Sequence, residues 1–278
     1  MIDIPVDKRE KVLPPGKYKD MSNEDYHSDK HYFSSSQLKE ALNSPAHFKY
    51  YVMDKNSKKK STPAMDRGTL VHTIVLEPYK FDYEYRIHAG DLTPTGLIPA
   101  ASQRAHDKEY PGIKLITQDD YDFAKRARDN FEQYPIANEL LFDKGCEYEP
   151  SYFIHCEQTG LRLRVRPDCI NIEKRYIVDL KTTRCKSKIE FAKDANYNFH
   201  YDLSAYMYVM AIYQATGVLC DFYWATVGTE DMCPTSIYKV SFDTMERGKG
   251  KFFKAIENIK TALTLPEQYR AQAELEEI

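Results

Sequence analysis

Asp168 and Asp179 stand eleven residues apart, and Lys181 follows two residues later, in the contexts Arg166-Pro167-Asp168 and Asp179-Leu180-Lys181. Two carboxylates and an ammonium brought to one place suit a specific task. Hard carboxylate oxygens hold Mg²⁺ or Mn²⁺, while a lysine beside them orients a nucleophilic water or meets the charge that develops on a phosphorane. That task is phosphodiester hydrolysis. The same pattern also fits an exposed hairpin with an Asp–Lys ion pair on its surface, so the neighbouring elements must separate the two.

Residues 161 to 170 alternate strictly, and residues 176 to 182 are β-branched and apolar around one acid and one base, so both stretches are expected to be strands. A short polar turn, Asn171 to Arg175, joins them. Successive strand side chains point to opposite faces, which puts Asp179 and Lys181 on one face and Val178 and Leu180 on the other. Upstream, apolar residues at 70, 71, 74 and 75 fit a helical face with His72 beside it, a position from which an imidazole could ligate the same metal. Downstream, Lys188 to Gly217 has the pattern of one long helix, with Tyr201, Asp202, Tyr206 and Tyr208 around an aliphatic stripe.

The string Gly68-Thr69-x-x-His72, Arg164-x-Arg166-Pro167-Asp168, Val178-Asp179-Leu180-Lys181-Thr182-Thr183 and then a tyrosine-rich helix resembles the PD-(D/E)xK nuclease superfamily. The opening, with Gly16-Lys17-Tyr18, Ser22 to His27, Ser36-Gln37-Leu38 and Ser44-Pro45-Ala46, is similar to the start of the RecE-type (exonuclease VIII) catalytic domain of prophage recombination systems. The likeness runs from about residue 15 to 265. It implies an α/β fold with a mixed central β-sheet flanked by helices. It also implies His72, Asp168 and Asp179 as side-chain metal ligands, the Leu180 carbonyl as a backbone ligand, and Lys181 as the catalytic lysine. The metal would be Mg²⁺, with Mn²⁺ able to substitute.

The implied activity is 5′-to-3′ exonuclease action on linear double-stranded DNA, leaving 3′ single-stranded tails for recombination by strand annealing. The implied partners are DNA ends, further copies of the chain in a ring, and a single-strand annealing protein. A restriction-type or structure-specific endonuclease uses the same core, and a catalytically inert DNA-binding relative would keep the architecture. RecB-like relatives carry Gln-x-x-x-Tyr on the helix after the core. Here the corresponding stretch is Asp202-Leu203-Ser204-Ala205-Tyr206, which keeps the tyrosine, a DNA-contact candidate, and replaces the glutamine.

Composition agrees with this assignment. The 278 residues, 42% of them hydrophobic, are expected to form one domain, with residues 1–14 and 266–278 peripheral and the acidic end from Glu274 frayed. A formal charge of −3 excludes a generally sticky nucleic-acid binder and leaves DNA contact to local patches. Arg162, Arg164 and Arg166 share strand parity with Asp168, so an unbroken strand would line them up as a phosphate track. Lys55, Lys58, Lys59 and Lys60 form a second basic run in a polar loop. Ser34 to Gln37 has the form of a capping box, and by the resemblance Ser34 and Ser36 lie near a terminal 5′-phosphate. The six cysteines have no CxxC or zinc-ligand spacing and are expected to be buried free thiols. No long apolar run or leader is evident, which points to a cytoplasmic protein without a membrane span.

The remaining expectations are helices around 34 to 53, 65 to 77, 118 to 133 and 243 to 262, strands at 147 to 156, 161 to 172, 219 to 228 and 235 to 242, and a long loop or arm from Phe81 to Pro111.

Overall fold

The computed structural model describes residues 12–54, 62–230 and 232–266. The basic run at 55–60 and the acidic end of the chain lie outside the described residues. Among the described residues the strands are β1 (Gly16–Tyr18), β2 (Tyr85–Ile87), β3 (Lys114–Ile116), β4 (Glu147–Tyr148), β5 (Ser151–His155), β6 (Arg162–Val165), β7 (Cys169–Asn171), β8 (Tyr176–Thr183), β9 (Asp221–Gly228) and β10 (Thr235–Lys239). The central sheet has the order β10-β9-β8-β7-β4, in which β8 and β9 are parallel and the other neighbours antiparallel. It is therefore the expected mixed sheet. β1, β5 and β6 form a separate antiparallel sheet, and β2 and β3 a short parallel pair.

The β8 side chains divide as the alternation predicts. Val178 and Leu180 enter a core with helices Pro63–Leu76, Gln118–Gln133 and Pro135–Phe142, while Ile177 faces a core with helices Ser35–Ala41, Tyr201–Thr216 and Phe242–Thr264. Apolar helices thus cover both faces, and Asp179 and Lys181 stand on the second of them where their chemistry, not packing, must account for them.

Several long elements are broken. The strand expected at 147–156 is two, in two sheets, because Glu149 takes a left-handed backbone (φ 47°) just before Pro150. The strand expected at 161–172 is likewise split into β6 and β7, with Arg166, Pro167 and Asp168 between them. The helix expected over 188–216 stops after a π-turn at Asp194–Asn198 and restarts at Tyr201, after His200 in the left-handed region (φ 48°). The expected arm at 81–111 contains a helix, Ala100–Glu109, and strand β2. Residues 12 and 13 are packed, since the Leu13 N–H donates to Asp29 (3.0 Å) and both lie against Tyr26, Tyr32 and Phe153. All six cysteines are free, with Cys146 and Cys185 partly exposed and the other four buried. Among the described residues no helix is long and apolar enough to cross a membrane.

The helices Tyr201–Thr216 and Phe242–Thr264 touch at Gly248, where an added Cβ would meet the Asp202 carbonyl oxygen at 2.1 Å. Neither backbone can give by that much without parting the helices. Gly248→Ala is expected to destabilise the protein by about 3 kcal/mol, the upper end of overpacking costs, against which the alanine's better helix propensity of about 1 kcal/mol is a partial offset. Urea unfolding checks this; an unchanged midpoint would mean the helices are not in contact there.

Candidate active site

β8 carries Asp179, Leu180 and Lys181, and Asp168 sits at the turn just before β7, the antiparallel neighbour of β8. Asp168 Oδ2 accepts the Leu180 N–H at 2.6 Å, so the first acid is tied directly to the strand bearing the second. Lys181 Nζ lies 2.7 Å from Asp179 Oδ2 and 3.3 Å from the Leu180 carbonyl oxygen. His72 approaches from helix Pro63–Leu76, with Nδ1 3.5 Å from Asp168 Oδ1 and a hydrogen bond to the Leu180 carbonyl. One turn earlier on that helix, a Cβ at Gly68 would touch Thr182 Oγ1 at 3.4 Å, so this helix runs close to the end of β8. The structure thus brings His72, Asp168, Asp179, Leu180 and Lys181 together.

Burial dominates the electrostatics. It pushes the Asp168 pKa up to about 7, aided by the Asp179 carboxylate and opposed by Lys181 and the Leu180 N–H. It pulls His72 down to about 4, with the Lys181 ammonium adding to the effect, so the imidazole is neutral at physiological pH and its lone pair is available. Burial also disfavours the Lys181 ammonium, but Asp179 and Asp168 outweigh it and raise its pKa above the ordinary lysine value.

Several residues at the site carried no clear sequence signal. Glu149 is half-buried beside Asp168, Glu77 and His72, its N–H donates to the Asp168 carbonyl (3.2 Å), and burial followed by the Asp168 charge raises its pKa. Its only mark is an acid and a proline interrupting a strand-like alternation. Tyr208 is raised by burial and by Tyr26, Asp179 and Asp168, and it hydrogen-bonds Ser35. Tyr201 offers its ring to Lys181 Nζ at 5.3 Å and to Lys39 Nζ at 4.9 Å.

Other candidates lie elsewhere. With the strand broken after Val165, Arg162, Arg164 and Arg166 do not share a face with Asp168. Arg164 is buried, donating to the Asp29 carbonyl over the Tyr26 ring, and Arg166 donates to Ser151 Oγ (2.9 Å) and the Met21 carbonyl (3.0 Å). These two guanidinium groups fasten the N-terminal segment. Ser34 is buried in its capping box, its N–H donating to Gln37 Oε1 at 2.9 Å, whereas Ser36 is exposed. Tyr206 packs on Phe252, ring centroids 5.4 Å apart. Asp202, 0% exposed, accepts from Lys251 Nζ at 2.8 and 3.0 Å. The pair that corresponds to Gln-x-x-x-Tyr therefore faces helix Phe242–Thr264, while Tyr201 and Tyr208 of the same helix face the aspartates.

Among the described residues no three His, Cys, Asp or Glu side chains form a complete metal-holding cluster, since Asp168 and Asp179 are turned to the Leu180 N–H and to Lys181. The donor set still suits a hard divalent cation. A carboxyl whose pKa is driven to about 7 by burial and a second acid is a site short of positive charge, and the neutral imidazole and inward carbonyl complete a set suited to Mg²⁺ or Mn²⁺. Beside the site, a cleft of about 1360 Å³ runs between the end of β8, at Thr182 to Arg184, and the segment containing β3, with Phe199 and Tyr201 on its wall.

A mixed sheet that presents Asp-x-Lys on a central strand, with a second aspartate at the adjoining strand, defines a PD-(D/E)xK nuclease core. The chain belongs to the family described as a PDDEXK-like domain of unknown function (DUF3799), whose profile matches residues 34–271. None of the curated proteins matches it. Among solved structures it is similar to a "Putative exonuclease" from Eubacterium rectale, with a TM-score of 0.59 and 16% identity over 88% of this chain and 87% of that one. That likeness is one of fold. A second structure, SSO0001, has a TM-score of 0.29 and 11% identity over 81% and 85% of the two chains, too distant to support any argument.

Proposed function

We propose that the protein is a metal-dependent deoxyribonuclease of RecE type, which degrades linear duplex DNA from its 5′ ends and leaves 3′ single strands. The observation that supports hydrolysis best is the meeting of Asp168, Asp179, Lys181 and His72 around the Leu180 carbonyl. Mg²⁺, or Mn²⁺ in its place, would be held by His72, Asp168, Asp179 and that carbonyl, and when bound it supplies a water of lowered pKa and offsets charge on the phosphate. The chain's own part is placement and charge. Lys181, kept protonated by its two acid neighbours, stabilises negative charge on the phosphate. The Leu180 N–H fixes one oxygen of Asp168, and the neutral His72 holds the Leu180 carbonyl in register.

The direction of attack, a closed ring of identical subunits, a cytoplasmic setting and a single-strand annealing partner follow from the RecE-type resemblance. A net charge of −3 is compatible with a ring, because enclosing the duplex lets a few cationic contacts sustain processivity. Digestion of duplexes labelled at either end, with Mg²⁺, should release the 5′ label first, spare covalently closed circles and stop in EDTA. The solution mass should be a multiple of the 32.4 kDa chain. Cutting of closed circles would favour an endonuclease, and a monomer active at full rate would reject the ring.

A further inference from the structure

Lys39 lies on helix Ser35–Ala41, well over a hundred residues before Asp168 and Asp179 in sequence, yet it points into the same site. Its Nζ sits 4.9 Å from the centre of the Tyr201 ring, and Lys181 Nζ sits 5.3 Å from that centre. A third ammonium, Lys251, is close by. Their partners differ in a telling way. Lys181 is held by Asp179 and Lys251 by Asp202, whereas Lys39 has no carboxylate within ion-pair distance among the described residues. Among the described residues its head rests on the face of the Tyr201 ring.

Holding an unpaired, half-buried ammonium beside two others costs free energy in the free protein. Burial and the Lys181 charge depress its pKa to about 8, with Asp179 and Asp202 opposing and Lys251 adding to the effect. A leucine or methionine would pack the same space without that cost. The helix is also firmly placed, since it packs against both Tyr201–Thr216 and Phe242–Thr264, and Asn258 Nδ2 donates to the Ala41 carbonyl at 2.8 Å. Lys39 is thus a pre-positioned cation that lacks an anion.

We propose that Lys39 is a phosphate-binding catalytic residue, whose ammonium takes a non-bridging oxygen of the DNA phosphodiester being cut and, with Lys181, grips that phosphate beside the Tyr201 ring. The proposal rests on the nuclease reading above. An ammonium that meets charge developing in the transition state contributes more to turnover than to binding. Tyr201 acts through the two lysines and is a positioning residue.

The test compares Lys39→Met and Lys39→Arg with the wild-type protein. It measures single-turnover cleavage of a linear duplex in Mg²⁺, affinity for the same duplex in Ca²⁺, and thermal melting. Lys39→Met keeps the stem and removes the charge, and is expected to cut about 10²-fold more slowly while binding the duplex within a few-fold and melting no lower. Lys39→Arg is expected to recover most of the rate. A Lys39→Met protein as fast as wild type overturns the proposal, and so does an equal loss of rate and of melting temperature in both variants, which would make Lys39 structural. If the wild-type protein leaves every duplex intact, the nuclease reading falls and this proposal with it; activity in the wild type that Lys39→Met retains removes only the role of Lys39.

Discussion

Replacing Asp179 or Lys181 by Ala is expected to lower DNA cleavage by about 10³-fold or more, the scale on which loss of preorganised charge and of a metal ligand acts. Asp179 is 6% exposed and Lys181 is its ion-pair partner at 2.7 Å, so each holds the other in place as well as facing the phosphate. Removing one partner strands the other in a dry site, at a cost of about 3–5 kcal/mol. Asp179→Asn and Lys181→Met, which preserve shape, are therefore the companion variants that separate lost chemistry from lost fold. All four should lose cleavage, and the isosteric pair should keep a cooperative melt. Cleavage at the wild-type rate in any of them would place the chemistry elsewhere.

The metal-free protein is expected to be stabilised by Asp168→Asn, increasingly so as pH rises. The sign follows from linkage. Burial holds the Asp168 pKa at about 7 in the folded protein against 3.8 in the unfolded chain, so between these values the folded state binds more protons than the unfolded one, and stability falls with pH on this account. His72, at about 4 when folded against 6.5, works oppositely and raises stability with pH between those two values. The wild-type profile is thus partly cancelled, and the difference between wild type and Asp168→Asn isolates the acid. Melting in EDTA should show the variant's advantage small at pH 4 and full above pH 7. Adding Mg²⁺ or Ca²⁺ should raise the wild-type melting temperature and leave the variant nearly unmoved, because a cation that binds only the folded state stabilises it. An advantage equal at both ends of the range would mean Asp168 is not the buried, proton-holding acid described above.

Where the site was legible in the sequence, it was so for a physical reason. A strand buried on both faces has little use for an acid and a base, so Asp179 and Lys181 between Val178, Leu180 and Thr182 stood out, and His72 stood out beside an apolar helical stripe. The spacing to Asp179 singles out Asp168, although Asp168 lies between β6 and β7 and not within one continuous strand. Alternation in Arg162, Arg164 and Arg166 looked continuous because period-2 patterning carries no record of a chain leaving one sheet for another. Pro167, which has no N–H to give a ladder, was the available warning. The break at His200 had no such marker, since nothing about histidine demands a left-handed backbone. Lys39 was invisible for a different reason: one lysine on a short amphipathic helix is ordinary, and only the tertiary packing sets it over the Tyr201 ring.

The meeting of two segments far apart in sequence has a bearing on how the protein is made. The Asn258 hydrogen bond to Ala41 spans 217 residues, and through it and its neighbours helix Phe242–Thr264 seats the helix that carries Lys39. A ribosome adding roughly 5–20 residues per second needs on the order of 10–40 s to cover that separation. During that interval helix Ser35–Ala41 can pack on strands β5 and β6 and on helix Tyr201–Thr216 but lacks helix Phe242–Thr264, and Asp202 has no Lys251. A nascent chain therefore carries Asp168, Asp179 and Lys181 well before helix Phe242–Thr264 is there to hold the Lys39 helix beside them, and the complete arrangement forms only once residue 258 has left the ribosome.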